Sequence, residues 1–146
     1  MREAYNRQTE GLRVVLGAIR QGVTSEGPFV RDAYWVQGCS LHCPGCCNPH
    51  LFDPEPGPEA VGSVLVDDLV ERLRLRASAI EGITILGGEP FEQPEPVAAL
   101  SEAARSLGLG VIVFSGYTLE ELRGQPLAPR VLGSVDLLVD GRFELK

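Results

Sequence analysis

The sequence predicts an α/β fold with mostly parallel strands. Three observations lead there: short apolar runs that each end at glycine, segments of helical apolar spacing between them, and an alternation of the two along the chain. At 146 residues the chain fits one domain, taken as 1–146, and can bury most of the surface its unfolded form exposes.

The elements follow in order. An apolar run at 12–16 is a first, short strand candidate, and "AYWVQG" at 33–38 suits a buried strand. The Pro- and Gly-rich stretch Asn48–Gly62 reads as a loop, too brief for an interdomain linker. Leu65, Leu69, Leu73, Ala77 and Ile80 fall on one helical stripe, with Ser63 as a candidate cap and "RLRLR" (Arg72–Arg76) as the solvated side. "GITILGG" at 82–88 is the next strand. A second helical stripe follows in Val97, Leu100, Ala104 and Leu107, its opening turn suited to Pro94 or Pro96. After the strand "GVIVFSG" at 110–116, "TLEELRG" offers a capping Thr118, Glu121 three residues on, and Gly124 as a stop. "VDLLVDG" at 135–141 closes the series. A β, long loop, α, β, α, β, α, β order predicts parallel strands joined by right-handed crossovers.

Composition excludes several function classes. The net charge of −7 argues against a nucleic-acid partner, which ordinarily meets a basic face. No apolar stretch approaches membrane-spanning length, so no membrane role is expected and a cytoplasmic location is. All four cysteines fall within "GCSLHCPGCCNP", Gly38–Pro49. In a reducing compartment such a cluster more often holds metal than forms disulfides.

The spacing is Cys39-x3-Cys43-x2-Cys46, followed at once by Cys47. Three readings compete. A disulfide framework is disfavoured by the crowding of the thiols in one loop. A structural zinc would want a tetrahedral ligand set, with His42 or His50 as its fourth member, since the adjacent Cys46 and Cys47 cannot easily point at one ion. An iron–sulfur cluster takes one thiolate per iron, so three well-spaced cysteines would leave one iron open to a substrate or cofactor. The loop directly follows a predicted strand, at the carboxyl edge where α/β folds place their chemistry. Pro44 and Gly45 suit a chain wrapped tightly around an inorganic core.

A Cys-x3-Cys-x2-Cys loop after a strand resembles that of the radical SAM superfamily. "GCSLHCPGCCNP" is similar to the loop of glycyl-radical activating enzymes, and its Pro-Gly pair to that of the anaerobic ribonucleoside-triphosphate reductase-activating proteins. "EGPFVRDAYWVQGC" (26–39), "LGGEPFEQ" (86–93), "VFSGYTLEEL" (113–122) and "VDLLVDGRFE" (135–144) resemble further segments of that family, in the same order. The resemblance implies a shortened partial (β/α) barrel, open on one side. It implies that Cys39, Cys43 and Cys46 hold a 4Fe-4S cluster whose remaining iron chelates S-adenosylmethionine. It also implies that Gly87, Gly88 and Glu89 receive the amino group of that cofactor, with Gly45, Cys46 and Cys47 beside it, Cys47 through its backbone. The implied activity is reductive cleavage of S-adenosylmethionine to a 5′-deoxyadenosyl radical and, from that, a glycyl radical on a partner such as an anaerobic ribonucleotide reductase. A flavodoxin or ferredoxin-type donor is the implied electron source. Two other activities stay open: modification of another peptide or small molecule, and a non-catalytic zinc-binding module. Trp35 is expected in the core, Ser115 and Tyr117 near the cluster's edge, with Tyr117 either in a partly buried turn or on the cofactor's side, and at least one of Asp136 and Asp140 towards solvent or the cavity mouth.

Overall fold

The structure, a computed structural model, describes residues 9–144. Its centre is an open six-stranded sheet: β1 (Arg13–Val23), β2 (Arg31–Val36), β3 (Gly62–Leu65), β4 (Gly82–Gly87), β5 (Gly110–Phe114) and β6 (Leu137–Val139). The spatial order is β3-β1-β2-β4-β5-β6. From β2 through β4 and β5 to β6 the pairing is parallel, as predicted, whereas β1 runs antiparallel to both β2 and β3. The first strand is therefore longer than the 12–16 run, and β3 begins at the last residue of the expected loop and takes in Ser63–Leu65, expected as the start of a helix.

Helices α1 (Val66–Arg76), α2 (Pro94–Ser106), α3 (Leu119–Arg123) and α4 (Ala128–Gly133) complete the chain. α2 begins at Pro94, and α3 carries the predicted capping box between Thr118 and Glu121. Ser63 does not cap α1; Leu65 occupies that position without a side-chain hydrogen bond, and Ser63 sits in β3 accepting from Arg13 Nε at 2.8 Å. The four-residue strand leaves no room for the serine at the helix start. α4 has no counterpart among the predicted elements. Among the described residues no helix is long and apolar enough to cross a membrane.

Strand alternation sorts the two faces. Val14, Leu16, Tyr34, Val36, Ile83, Ile85, Val111 and Val113 join the helical residues Leu69, Leu73, Val97, Leu100 and Ala104 in one core. Each such buried aliphatic contributes roughly 1.5–3 kcal/mol relative to exposure. The intervening residues face away from that core, in lateral register: Ala33, Thr84, Ile112 and Leu137 form one row, and Trp35 pairs with Leu86 in the next. Trp35 is thus half-buried on this second face and not in the core, because its odd position in β2 points it away from the helices.

Two buried charges lock the amino-terminal edge of the parallel strands. Arg31, 4% exposed, donates to Thr84 Oγ1 at 2.9 Å, to the Ile83 and Gly110 carbonyls at 2.8 and 2.9 Å, and to the Pro28 carbonyl at 3.2 Å. Asp32 accepts from Arg76 at 2.6 and 2.8 Å and from the Gly22 N–H at 2.9 Å. "RLRLR" is therefore not solvated throughout: Arg72 and Arg74 are exposed, while Arg76 carries an ion pair.

Candidate functional site

The carboxyl ends of β2, β4, β5 and β6 meet at the opposite edge. β2 leads into the cysteine loop. Its base is pinned by backbone hydrogen bonds from Gly38 to the Leu51 carbonyl at 2.7 Å and from Cys39 to the Phe52 carbonyl at 3.0 Å. Within the loop, Cys46 N–H donates to the Cys43 carbonyl at 3.1 Å, and Gly45 adopts φ +77°, a left-handed turn that suits glycine. His42 stacks on Phe52 with ring centroids 4.5 Å apart.

β4 ends at Gly87 and Gly88, whose small size has a reason internal to the fold. A Cβ on Gly87 would come within 2.7 Å of the Trp35 Cα, and one on Gly88 would overlap the Gly38 carbonyl oxygen. Gly88 N–H donates to the Val36 carbonyl and Glu89 N–H to the Gly38 carbonyl, both at 2.8 Å, so the edge is bonded directly to the root of the cysteine loop. A short 3₁₀ turn, Pro90–Glu92, follows. The Glu92 carboxylate accepts from the Ser40 backbone at 3.0 Å and from the Ser40 hydroxyl, and the Gln93 amide bridges Val15 and the Gln37 carbonyl.

These segments enclose a cavity of about 300 Å³, at the lower end of the range typical of small-molecule sites. Cys39, Cys43, Cys46 and Cys47 line it on one side and Gly87, Gly88 and Glu89 on another. Gly45, His42 and His50 are not among its walls; His50 instead borders a smaller cavity with Trp35. Ser115 lines the site, while Tyr117 is half-buried beside it under the Arg142 guanidinium. Asp136 and Asp140 are both exposed and accept from the Val111 and Leu119 N–H groups. Further lining residues are Leu41 and Asn48 from the cysteine loop, Leu86 and Phe114 from the ends of β4 and β5, Gly116 from the turn after β5, and Gly141 and Phe143 from the segment after β6. A larger cavity of about 470 Å³ lies at the other edge, against Arg31, Phe29 and Leu137, and contains no cysteine or histidine.

The donor set suits a cluster. Cys39, Cys43 and Cys46 are half-buried and Cys47 is exposed. Burial pushes the Cys39 thiol up, with the Leu41 and His42 backbone N–H groups opposing the shift. Among the described residues no three of His, Cys, Asp or Glu converge on a single ion. A cubane makes no such demand, since each thiolate binds a different corner. Burial also raises the Glu89 carboxyl above its ordinary range, against the hydrogen bonds it accepts from Phe91, Gly116 and Ser115.

Residues 25–146 match a family model described as a 4Fe-4S single cluster domain. The chain belongs to that family. As a 4Fe-4S single cluster domain it takes an iron–sulfur cluster and S-adenosylmethionine, and within the family it is of the radical SAM activating type. It is 30% identical over 126 residues to the anaerobic ribonucleoside-triphosphate reductase-activating protein of Pasteurella multocida (strain Pm70), covering 81% of this chain and 77% of that one. Against the protein of the same name from Escherichia coli (strain K12) the identity is 29% over 125 residues, with 80% and 77% covered. The fold of this 4Fe-4S domain also matches the crystal structure of QueE from Escherichia coli, with a TM-score of 0.64 at 17% identity, over 77% of this chain and 57% of that one.

Proposed function

We propose that the chain works as a single domain that activates a glycyl-radical enzyme, with an anaerobic ribonucleotide reductase as the partner class. Cys39, Cys43 and Cys46 hold three irons of the 4Fe-4S cluster as thiolates, and Gly87 and Gly88 present backbone to the bound S-adenosylmethionine. When bound, the cluster supplies the electron that reductively breaks a carbon–sulfur bond of S-adenosylmethionine, the source of the species that takes hydrogen from the partner's glycine. The protein's share is geometric. The cysteine loop, the β4 edge and the Ser115–Tyr117 turn hold the reactants on one side of the sheet, and Leu41, Phe114 and Phe143 offer apolar surface that keeps water from the reacting atoms. Gly45 turns the loop between its second and third cysteines, and Cys47 stands beside the cofactor through its backbone. A flavodoxin or ferredoxin-type protein delivers the electron.

The observation that supports this reading is the sharing of one cavity by Cys39, Cys43, Cys46 and the Gly87–Glu89 edge, which come from separate strand ends. The test mixes the reduced, cluster-loaded protein with S-adenosylmethionine and an anaerobic ribonucleoside-triphosphate reductase. A glycyl-radical signal by electron paramagnetic resonance is expected, lost when Cys43 is replaced by alanine. Methionine release without any protein radical would point to a small-molecule or peptide substrate instead.

A further inference from the structure

Resemblance assigns Glu89 to the cofactor's ammonium, yet its carboxylate is 1% exposed and fully engaged within the chain. Phe91 N–H donates to Oε2 at 2.9 Å, Gly116 N–H to Oε1 at 2.7 Å, and the Ser115 hydroxyl to both oxygens at 3.0 Å. Ser115 Oγ itself accepts from Tyr117 N–H at 3.1 Å, which turns its only proton towards Glu89. No ion pair among the described residues involves Glu89. Neutral donors alone satisfy a buried carboxylate here, the arrangement that compensates the loss of hydration most directly. Space is short as well: a Cβ on Gly116 would lie 2.5 Å from Leu41 Cδ1 and 3.5 Å from Glu89 Oε1.

We propose that Glu89 is a positioning residue whose carboxylate clasps the Ser115–Tyr117 turn to the Gly87–Gly88 edge, and that it does not receive the cofactor's ammonium. Two walls of the cavity, from β4 and β5, then move as one body. Ser115 is the second half of the clasp. The inference rests on the reading that S-adenosylmethionine occupies this cavity, and its test separates the two.

The experiment compares Glu89→Gln, Ser115→Ala and Ser115→Thr with the unaltered protein. Hydrogen exchange of the Gly116 amide reads the clasp directly. It is expected to speed up about tenfold in Glu89→Gln and Ser115→Ala and to return towards the original rate in Ser115→Thr. Calorimetry on cluster-loaded protein then measures affinity for S-adenosylmethionine and for its analogue lacking the amino group. A clasp predicts that Glu89→Gln weakens both ligands by the same factor. A loss confined to the amino-bearing ligand overturns the proposal, as does unchanged Gly116 exchange in Ser115→Ala, a variant that keeps the carboxylate in place. If neither ligand binds the unaltered protein, the cofactor reading fails while the exchange rates still decide the clasp.

Discussion

The two edges of the parallel strands use polar groups in opposite ways. At the amino edge, Arg31 and Asp32 are sealed in and answered by their own chain: four acceptors for the guanidinium, Arg76 and a backbone amide for the carboxylate. At the carboxyl edge, four cysteines stand half-buried or exposed around a cavity, and the ties inside their loop are backbone ones, from Cys46 N–H to the Cys43 carbonyl and from the Leu41 and His42 N–H groups to the Cys39 thiol. One edge is finished by the polypeptide, and the other presents donors to something that is not polypeptide. A rigid base beneath a ligand-accepting rim is what a cluster site requires, because the rim can be placed accurately only if the sheet under it does not shift.

That contrast is sharpest where a charge is removed from the finished edge. Arg31→Met strands the Ile83, Gly110 and Pro28 carbonyls and should lower the unfolding free energy of the metal-free protein by roughly 3–5 kcal/mol, read by urea denaturation. A loss below about 1 kcal/mol would mean that water enters freely and the edge is not sealed. Gly88→Ala tests the junction between the end of β4 and the root of the cysteine loop. Its Cβ meets the Gly38 carbonyl backbone, so a destabilisation of about 2–3 kcal/mol is expected, together with weaker cluster assembly from a displaced Cys39.

The smallest effect concerns the segment that borders the cavity from the C-terminal side. The Arg142 guanidinium pairs with both Glu121 oxygens, at 2.7 and 2.8 Å, and donates to the Gly116 carbonyl at 2.5 Å. Chiefly through this hydrogen-bonded pairing, the Glu121 carboxyl falls from 4.5 to about 2. A carboxyl lowered on folding contributes stability above its unfolded value, so this contribution is present above about pH 4.5 and disappears as the pH falls towards 2. A carbon-13 titration of the metal-free protein should follow Glu121 at the lowered midpoint, and in Arg142→Ala the midpoint should climb back towards 4.5. An unmoved midpoint would remove Arg142 as the cause.

Much of this was legible from sequence, and the reason is locality. β4, β5, the start of α2 at Pro94 and the Thr118 capping box depend on residues within a few positions of one another, and the cysteine spacing sits in one short loop. What stayed hidden depends on distant partners. The length of β1 is set by antiparallel pairing with β2 and β3, since its second half carries exposed Arg20 and Gln21 with no apolar run to betray a strand. Glu92 and Gln93 look like ordinary polar residues until the fold brings Ser40 and Val15 against them from more than fifty positions away. Glu89 is the most instructive case: its motif is plain in the sequence, but only the fold brings Ser115 and Gly116, more than twenty positions away, to donate to its carboxylate.

The central claim, that three particular sulfurs complete the open rim, has a direct measurement. Iron and acid-labile sulfide are counted after anaerobic reconstitution of the unaltered chain and of the four single cysteine-to-alanine variants. About four irons and four sulfides per chain are expected for the unaltered protein and for Cys47→Ala, with incomplete, unstable loading in Cys39→Ala, Cys43→Ala and Cys46→Ala. Full loading in any of those last three, or its loss in Cys47→Ala alone, would contradict the assignment.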